Sequence, residues 1–320
     1  MIIPQLTRLI QKKREDHPGF AVTLHHDAIC CARAVWNDGK PKIISFSRQV
    51  VLDDSNFSAE FSKTSKIMGI GREAVATLLE PGEYHLLQTD APNVPDQEIR
   101  SAVRWSVKDM LNYKVEDANL DVIYIPSRDG STENSKSIYV VAARNEMLRS
   151  RTEKFRNAHL NLRVIDVPEF AQRNIAALFE EPGRALAMLV VDENGSYLTF
   201  TAAAELYLSR RIEIGINQLQ DADELVRQQQ VERMEVEVRR SLDHFDRQYA
   251  HLAVQKLLLA APKGLGLETP LEQNLGLPVQ QMDLAGVIDL QAVPELKQHE
   301  MQLLALQSLG LALRDKEWGA

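Results

Sequence analysis

Short apolar runs separated by turn residues open the chain. Three β-branched runs predict a small antiparallel meander: residues 20–25, 29–35 and 42–47. Residues 72–79 then favour a helix that ends before Pro81 and Gly82, and residues 84–88 favour a strand. Several α/β folds contain three strands followed by a helix and a strand, so this order alone does not choose among them.

The middle of the chain changes to apolar positions at helical spacing. A helix is predicted from Pro95 onward, because proline favours the first turn of a helix. Its apolar face comprises Ile99, Val103, Val107, Met110 and Leu111. Strands at residues 120–125 and 137–143 then flank the polar loop 127–135, and residues 145–158 favour another helix.

A second set of strands begins near Leu186. Three strands are predicted: residues 189–192, 196–202 and 205–214. Residues 222–250 favour a long helix whose single apolar stripe indicates packing against a core rather than a cofactor box. The last predicted elements are a strand, a helix stopped by Gly276 and a short strand: residues 251–260, 271–275 and 279–282.

Composition and charge limit the functional class. The chain has 320 residues, enough for about two domains. Its net charge of -8 argues against a nucleic-acid binder, because phosphate binding requires a concentrated basic face. The only cysteines are the neighbours Cys30 and Cys31, which do not form a disulfide framework and favour the reducing cytosol.

Membrane insertion is not predicted from the sequence. No run of about 18 apolar residues occurs. The first residues also lack the apolar core of a signal peptide. Residues 1–14 are compatible with a short basic amphipathic helix that touches anionic lipid, although a terminal helix docked on the protein is the simpler interpretation.

The common catalytic motifs are absent from the sequence. It contains no Gly-x-Ser-x-Gly, Cys-x-x-Cys or His-Glu-x-x-His motif and no phosphate-binding P-loop. His25, His26 and Asp27 lie together, but the sequence places no third ligand group beside them. We therefore predict neither a nucleophile with its base nor a metal site.

Several stretches resemble one known family. They are VIDVPEFAQR at residues 164–173, EVRRSLDHF at residues 237–245 and LGLALR at residues 309–314. Trp105 and residues 110–113 also match a helix of that family, although a proline usual there is missing. Together these stretches resemble PilM, a family of actin-like proteins of type IV pilus assembly, and within it the branch that serves the mannose-sensitive haemagglutinin (MSHA) pilus.

The resemblance implies a fold and a division into lobes. It implies an actin-like α/β fold of two lobes, of the ASKHA and ribonuclease H-like class, with the inserted subdomain of PilM and of the cell-division protein FtsA. We expect residues 1–185 to form the first lobe, with the insert at about residues 92–160. Residues 186–320 would form the second lobe.

The same resemblance implies a degenerate nucleotide cleft. The family's first phosphate turn falls on residues 23–30, where its aspartate, glycine and lysine are missing. At the second turn Asp192 remains, but the following glycine is displaced by one place and Glu193 adds a repulsive carboxylate. The family's adenosine-binding glycines fall on residues 260–264, which read AAPKG. The residues of the degenerate cleft are Thr23, His25, His26, Cys30, Asp192, Asn194 and Gly195.

We therefore expect no ATPase activity and no bound ATP or magnesium. The alternative is an ATP-binding actin-like switch or ATPase of the same machinery that uses unfamiliar residues. A further alternative is the cytoplasmic half of a GspL-type secretion protein, a class that continues into a membrane span.

A partner also follows from the resemblance. PilM proteins receive the cytoplasmic N-terminal peptide of a PilN-like, single-span inner-membrane protein, which in the MSHA pilus is MshJ. We therefore expect a cytoplasmic scaffold at the inner face of the inner membrane. Its predicted peptide groove lies between the first subdomain and the insert, where an extended peptide gains affinity by pairing with a strand edge. The expected contacts are Trp105, Lys108, Tyr113, Leu120, Asp121 and Ile123.

Overall fold

The computed structural model describes residues 19–25, 27–37, 39–51, 57–71, 73–126, 136–193, 195–221 and 223–314. The strands are β1 Phe20–Leu24, β2 Ala28–Asn37, β3 Lys40–Val50, β4 Ala74–Leu78, β5 Tyr84–Asp90, β6 Ala118–Tyr124, β7 Ser137–Arg144, β8 Asn161–Asp166, β9 Ala185–Asp192, β10 Gly195–Ala202, β11 Glu205–Ile212, β12 Val254–Ala260 and β13 Val279–Gln281. The helices are α1 Phe57–Ile67, α2 Ile99–Val107, α3 Asn145–Asn157, α4 Pro168–Ala176, α5 Ile216–Leu219, α6 Glu224–Gln248, α7 Glu268–Leu275 and α8 His299–Ala312.

The first sheet contains the predicted meander. Its order is β3-β2-β1-β4-β8, with β1 to β3 antiparallel and with β4 and β8 parallel to β1. The helix predicted at residues 72–79 is wrong, because this stretch contains β4. A parallel strand covered on both faces has an uninterrupted apolar sequence, which periodicity does not distinguish from a buried helix. The helix that precedes β4 is α1, which the pattern did not predict.

The second sheet repeats the topology of the first. Its order is β11-β10-β9-β12-β13, again three antiparallel strands followed by two parallel ones. The long helix α6 joins β11 to β12 and buries Met234, Val238 and Phe245. Two lobes with this duplicated topology form the predicted actin-like fold.

A third sheet forms the inserted subdomain. Its order is β5-β7-β6, and both pairings are antiparallel. One face packs against the buried side of α2, and the other contributes Leu86, Tyr139 and Val141 to the core of the second lobe. Because β5 belongs to this sheet, the sheet begins at Tyr84, ahead of the expected start near residue 92.

The C-terminal helix α8 returns to the first lobe. It contacts β1, β2 and α4. At the crossing of α4 and α8, the side-chain amide of Asn174 donates a hydrogen bond of 2.8 Å to the carbonyl of Gly310. Arg314 and Asp166 form an ion pair of 3.3 Å beside it. Residues 164–173 and 309–314 therefore meet in space.

Candidate functional site

A cavity of about 560 Å³ lies between the inserted sheet and the second lobe. Strands β5 and β7 form one wall, β10 and β11 form the other, and the first turn of α4 lies at its floor. The lining residues are Pro81, Gly82, Tyr84, His85, Leu86, Gln88, Tyr139, Glu169, Tyr197, Ser209, Arg210 and Arg211.

Two unpaired strand edges run along this cavity. Within the described residues β5 pairs only with β7, and β11 pairs only with β10. Residues 84–88 of β5 and 209–211 of β11 line the space between them. Free backbone N–H and C=O groups at such edges are available to pair with another extended chain.

The hydroxyl of Tyr139 connects the two walls. It accepts a hydrogen bond from the backbone N–H of Ser209 at 3.0 Å and donates one to the carbonyl of Tyr207 at 3.3 Å. Burial raises the pKa of Tyr139, so the hydroxyl stays protonated at neutral pH and acts as both donor and acceptor. Tyr139 thus occupies the inner part of the β11 edge.

A buried acid lies at the floor of the cavity. The Glu169 side chain is in the first turn of α4, and the residue is only 6% exposed. The hydroxyl of Tyr84 donates a hydrogen bond of 2.6 Å to Glu169 Oε2. Burial raises the pKa of Glu169, and the carboxylate of Asp166 adds to that shift. Ionisation of Glu169 is therefore less favourable here than in water.

Two arginines of β11 lie on the opposite wall. The guanidinium of Arg211 lies 5.2 Å from the centre of the Tyr197 ring, and it donates hydrogen bonds to the Tyr197 hydroxyl at 2.5 Å and to Glu213 at 2.9 Å. Arg210 is exposed beside it. Burial raises the pKa of Tyr197 to about 12, although Arg211 opposes the shift. This side of the cavity is positively charged.

The six residues of the predicted peptide groove do not line one groove. Trp105 lies on the outer face of α2, where it is 76% exposed, and the ammonium of Lys108 lies 5.8 Å from its ring. Leu120 is buried between α2 and the sheet, which leaves it no surface for a partner. Asp121 is exposed and pairs with Arg100 at 2.6 Å.

The remaining two predicted residues pack against opposite faces of the inserted sheet. Ile123 is half-buried against the second-lobe core. The Tyr113 ring lies 5.8 Å from the ring of His85, a cavity residue, and 4.3 Å from the Arg144 guanidinium. Tyr113 packs with the cluster on the α2 side of the inserted sheet, so it does not share a face with Ile123.

Sequence reasoning missed the residues that line the cavity. They come from five separate segments, so no local motif brings them together. One signal was present in the sequence: Glu169 is a charged residue between the apolar pairs Val167-Pro168 and Phe170-Ala171. The structure shows that the whole of α4 is buried. Buried carboxylates are rare unless they have a partner, and such a residue marks a candidate site.

The first predicted nucleotide turn is filled by its own side chains. Thr23 is buried, and its hydroxyl lies 3.1 Å from His25 Nε2. Cys30 is opposite Thr23 in the β1–β2 pair, and burial raises the pKa of its thiol to about 11. Burial lowers the pKa of His25, although the carboxylates of Asp192 and Asp27 oppose that shift. Thr23, His25 and Cys30 therefore supply no fixed positive charge, and the arginine beside them, Arg48, lies opposite Cys30 in the β2–β3 pair and forms an ion pair of 2.8 Å with Asp27.

The second and third nucleotide turns are also closely packed. Asp192 accepts a hydrogen bond of 2.8 Å from the N–H of Glu193. Gly215 lies so near that a Cβ there would come within 2.4 Å of the nitrogen of Gly195. Ala261 is buried, and its carbonyl accepts a hydrogen bond of 2.7 Å from Gln281. His26 and Asn194 lie outside the described residues.

Metal clusters and membrane-spanning helices are both missing from the described part of the chain. That part contains no group of three or more His, Cys, Asp or Glu side chains arranged to hold a metal ion. None of its helices is long and apolar enough to cross a membrane. The amphipathic helix expected at residues 1–14 lies outside this part.

Comparison with known proteins yields one family. The model of the family "Type IV pilus assembly protein PilM" matches residues 87–251. No curated protein sequence matches the chain. Among solved structures, the chain is similar to one described as a PilM-PilN type IV pilus biogenesis complex, with a TM-score of 0.73 and 20% identity over 93% of this chain and 98% of that one. This similarity shows a shared fold.

Two further structures are more distant. One is the cytoplasmic domain of EpsL, an inner membrane component of the type II secretion system of Vibrio cholerae, with a TM-score of 0.47 and 12% identity over 91% of this chain and 94% of that one. The other is a Bacteroides thetaiotaomicron protein with an actin-like ATPase fold. Its TM-score is 0.48, and it is 11% identical over 95% of this chain and 98% of that one.

Proposed function

Because the chain belongs to the PilM family of type IV pilus assembly proteins, we propose that it is a scaffold of pilus biogenesis that receives the N-terminal peptide of a PilN-like inner-membrane protein. The observation that carries this proposal is the cavity between β5 and β11. The β5 edge on one side is unpaired among the described residues, and on the other side Tyr139 already bonds the N–H of Ser209 and the carbonyl of Tyr207 on the β11 edge. This placement differs from the groove expected between the first subdomain and the insert, which stays a prediction.

The shape of the cavity favours an extended peptide. The β5 edge at residues 84–88 is roughly 16 Å long at about 3.3 Å per residue. A peptide that pairs with such an edge gains main-chain hydrogen bonds, while pockets for alternate side chains provide specificity. Leu86 offers an apolar contact, whereas Gln88 and Arg210 offer polar ones. The lining therefore suits a peptide that carries both apolar and polar side chains.

We further propose the particular pilus and partner. The motifs at residues 164–173 and 309–314 most resemble MshI, the member of the family that serves the MSHA pilus. The partner would then be MshJ, the PilN-like protein of that pilus. In this arrangement the protein acts in the cytoplasm and meets the inner membrane through its single-span partner.

We propose that this scaffold has no ATPase activity. Phosphoryl transfer requires fixed positive charge and backbone N–H groups around the phosphates. His25 and Cys30 occupy the places of the family's glycine and lysine, and the Cys30 thiol is uncharged at neutral pH. Ala261, in the stretch that matches the family's adenosine-binding glycines, is buried. The competing proposal is an ATP-dependent switch of the same machinery.

Filling the cavity with a larger side chain is expected to weaken peptide binding strongly. Ser209 is half-buried in the cavity wall, and the Ser209→Trp substitution keeps its backbone hydrogen bond to Tyr139 while placing an indole in the space. Calorimetric titration with the N-terminal peptide of the PilN-like partner should show at least about tenfold weaker binding, equivalent to about 1.4 kcal/mol.

The matched comparison is Trp105→Ala, which removes an exposed ring from the outer face of α2. Its affinity for the peptide should stay within about twofold of wild type, since contacts outside the bound surface contribute little. The reverse outcome, loss with Trp105→Ala and full binding with Ser209→Trp, would place the peptide on the outer face of the insert.

Nucleotide binding provides a separate test. Titration of the purified protein with ATP and magnesium, with and without the partner peptide, is expected to give no saturable heat. A hydrolysis assay under the same conditions should show no phosphate release above buffer. Micromolar binding in either titration would instead support the switch and would require new phosphate contacts around the β1–β2 and β9–β10 hairpins.

A further inference from the structure

We infer that the floor of the cavity is a subsite for a primary ammonium group of the bound peptide, with the Glu169 carboxylate as its counter-ion and the surrounding tyrosines as its cage. This inference rests on the proposed peptide-binding function and specifies the chemistry that the site selects. The lysine side chain and the free α-amino group of an N-terminal peptide are its two sources.

Among the described residues Glu169 forms no ion pair at contact distance, although the charge of Arg211 acts on it and lowers its pKa against the effect of burial. Its hydrogen bonds there come from the hydroxyl of Tyr84 and from its own backbone N–H. The neighbouring cation, Arg211, is held by Tyr197 and Glu213. Buried carboxylates in proteins are usually paired with a cation or a metal. A cation that enters the cavity would supply this pairing.

Three aromatic rings surround the same space. Tyr84, Tyr139 and Tyr197 all line the cavity together with Glu169. The faces of aromatic rings attract cations, and sites built from several rings recognise ammonium groups. The guanidinium of Arg211 already lies 5.2 Å from the centre of the Tyr197 ring, within the range of a cation–π contact. The Glu169 carboxylate and the tyrosine rings would therefore both attract a cation into the cavity.

The geometry favours an ammonium group over a guanidinium. A guanidinium binds a carboxylate best through two parallel hydrogen bonds, one to each oxygen. In this structure Glu169 Oε2 already accepts a hydrogen bond from Tyr84. A compact ammonium needs only one carboxylate oxygen and can also donate to the Tyr84 hydroxyl oxygen.

The charges on the opposite wall orient the ligand. Arg210 and Arg211 repel a second cation and attract carbonyl or carboxylate oxygens. The ammonium group is therefore expected at the floor, beside Glu169. The carbonyl groups that follow it would lie along β11.

Calorimetry with modified peptides tests the subsite. Wild-type protein is titrated with the partner's N-terminal peptide in three forms: unmodified, N-acetylated, and with each lysine replaced by glutamine. One of the two modified peptides should bind at least about tenfold more weakly, and its identity tells which ammonium group is bound. Equal affinity for all three peptides would overturn the subsite.

The Glu169→Gln variant tests the counter-ion. Glutamine keeps an oxygen that accepts from Tyr84 but removes the charge, so the fold should persist, and a melting curve checks this. The unmodified peptide should bind at least about tenfold more weakly. The matched control is Glu153→Gln, which removes an exposed charge from α3 and should leave the affinity unchanged. Equal binding to Glu169→Gln and wild type would overturn the subsite while leaving the peptide-binding function intact.

A small probe separates failure of the subsite from failure of the proposed function. If the unmodified peptide does not bind wild-type protein, the proposed function fails. Titration with n-butylammonium, followed by NMR, then decides the subsite alone. Saturable shifts at the cavity residues that disappear in Glu169→Gln support it. Absent shifts, or equal shifts in both proteins, overturn it.

Discussion

Gly310→Ala is expected to destabilise the protein by about 3 kcal/mol or more, although alanine ordinarily stabilises a helix by about 1 kcal/mol relative to glycine. A Cβ at this position would lie 2.2 Å from the carbonyl oxygen of Ala171 and 2.7 Å from its carbonyl carbon. Both atoms belong to the backbone of α4, so α4 and α8 would have to separate. That movement would also weaken the hydrogen bond from Asn174 to Gly310.

Urea unfolding measures this effect, and Gly264→Ala is the control. A Cβ added at Gly264 would meet no heavy atom within 4 Å, apart from those of its chain neighbours. The Gly264→Ala variant should therefore unfold within about 0.5 kcal/mol of wild type. Equal unfolding midpoints for the two variants would contradict close packing of α4 against α8. A loss confined to Gly310→Ala would support the contact between residues 164–173 and 309–314.

Arg151→Met is expected to cost roughly 3–5 kcal/mol of stability, because it removes one partner of a buried ion pair. The Arg151 side chain is 4% exposed; it binds the carboxylate of Glu83 and lies 4.0 Å from that of Glu80. Glu83 also accepts a hydrogen bond of 2.7 Å from the backbone N–H of Glu80. The substitution would leave the Glu83 carboxylate partly buried without its cation, in the connection that leads into β5.

A second arginine of α3 provides the matched control. Arg156 pairs with Glu153 at the surface, where the two side chains are 70% and 60% exposed. Arg156→Met should change the free energy of unfolding by less than about 0.5 kcal/mol. The double variant Arg151→Met with Glu83→Leu should recover much of the loss, because it removes both buried charges. If Arg151→Met costs no more than Arg156→Met, the Arg151–Glu83 pair is not a buried structural contact in solution.

Local pattern was sufficient for many elements of the fold. The three-stranded meander at the start of the chain was predicted, because a turn follows each β-branched run. Helix α6 was predicted from its apolar stripe, and the structure shows its N-terminus capped by Asp223, whose side chain accepts from the N–H of Leu225 at 2.9 Å. Gly276 ends α7 in the left-handed conformation with φ of 64°, as its position in the sequence indicated.

Local pattern failed for β4, and it did not identify the residues that line the cavity. β4 is buried on both sides, so its sequence lacks the alternation that identifies a strand with one exposed face. The predicted peptide contacts were assigned to one subdomain, where Leu120 proved to be core and Trp105 proved to face outward. A single element's pattern tells which of its faces is buried. It does not tell which other element covers that face.

The sequence by itself determined the family resemblance, the succession of most strands and helices, and the absence of glycine and lysine from residues 23–30. Each of these depends on residues close together in the chain. Only the tertiary structure decided that Tyr84, Glu169, Tyr197 and Ser209 surround one cavity. The physical reason is that the cavity forms where edges of separate sheets approach each other, and that approach is set by long-range packing through α4, α8 and Tyr139.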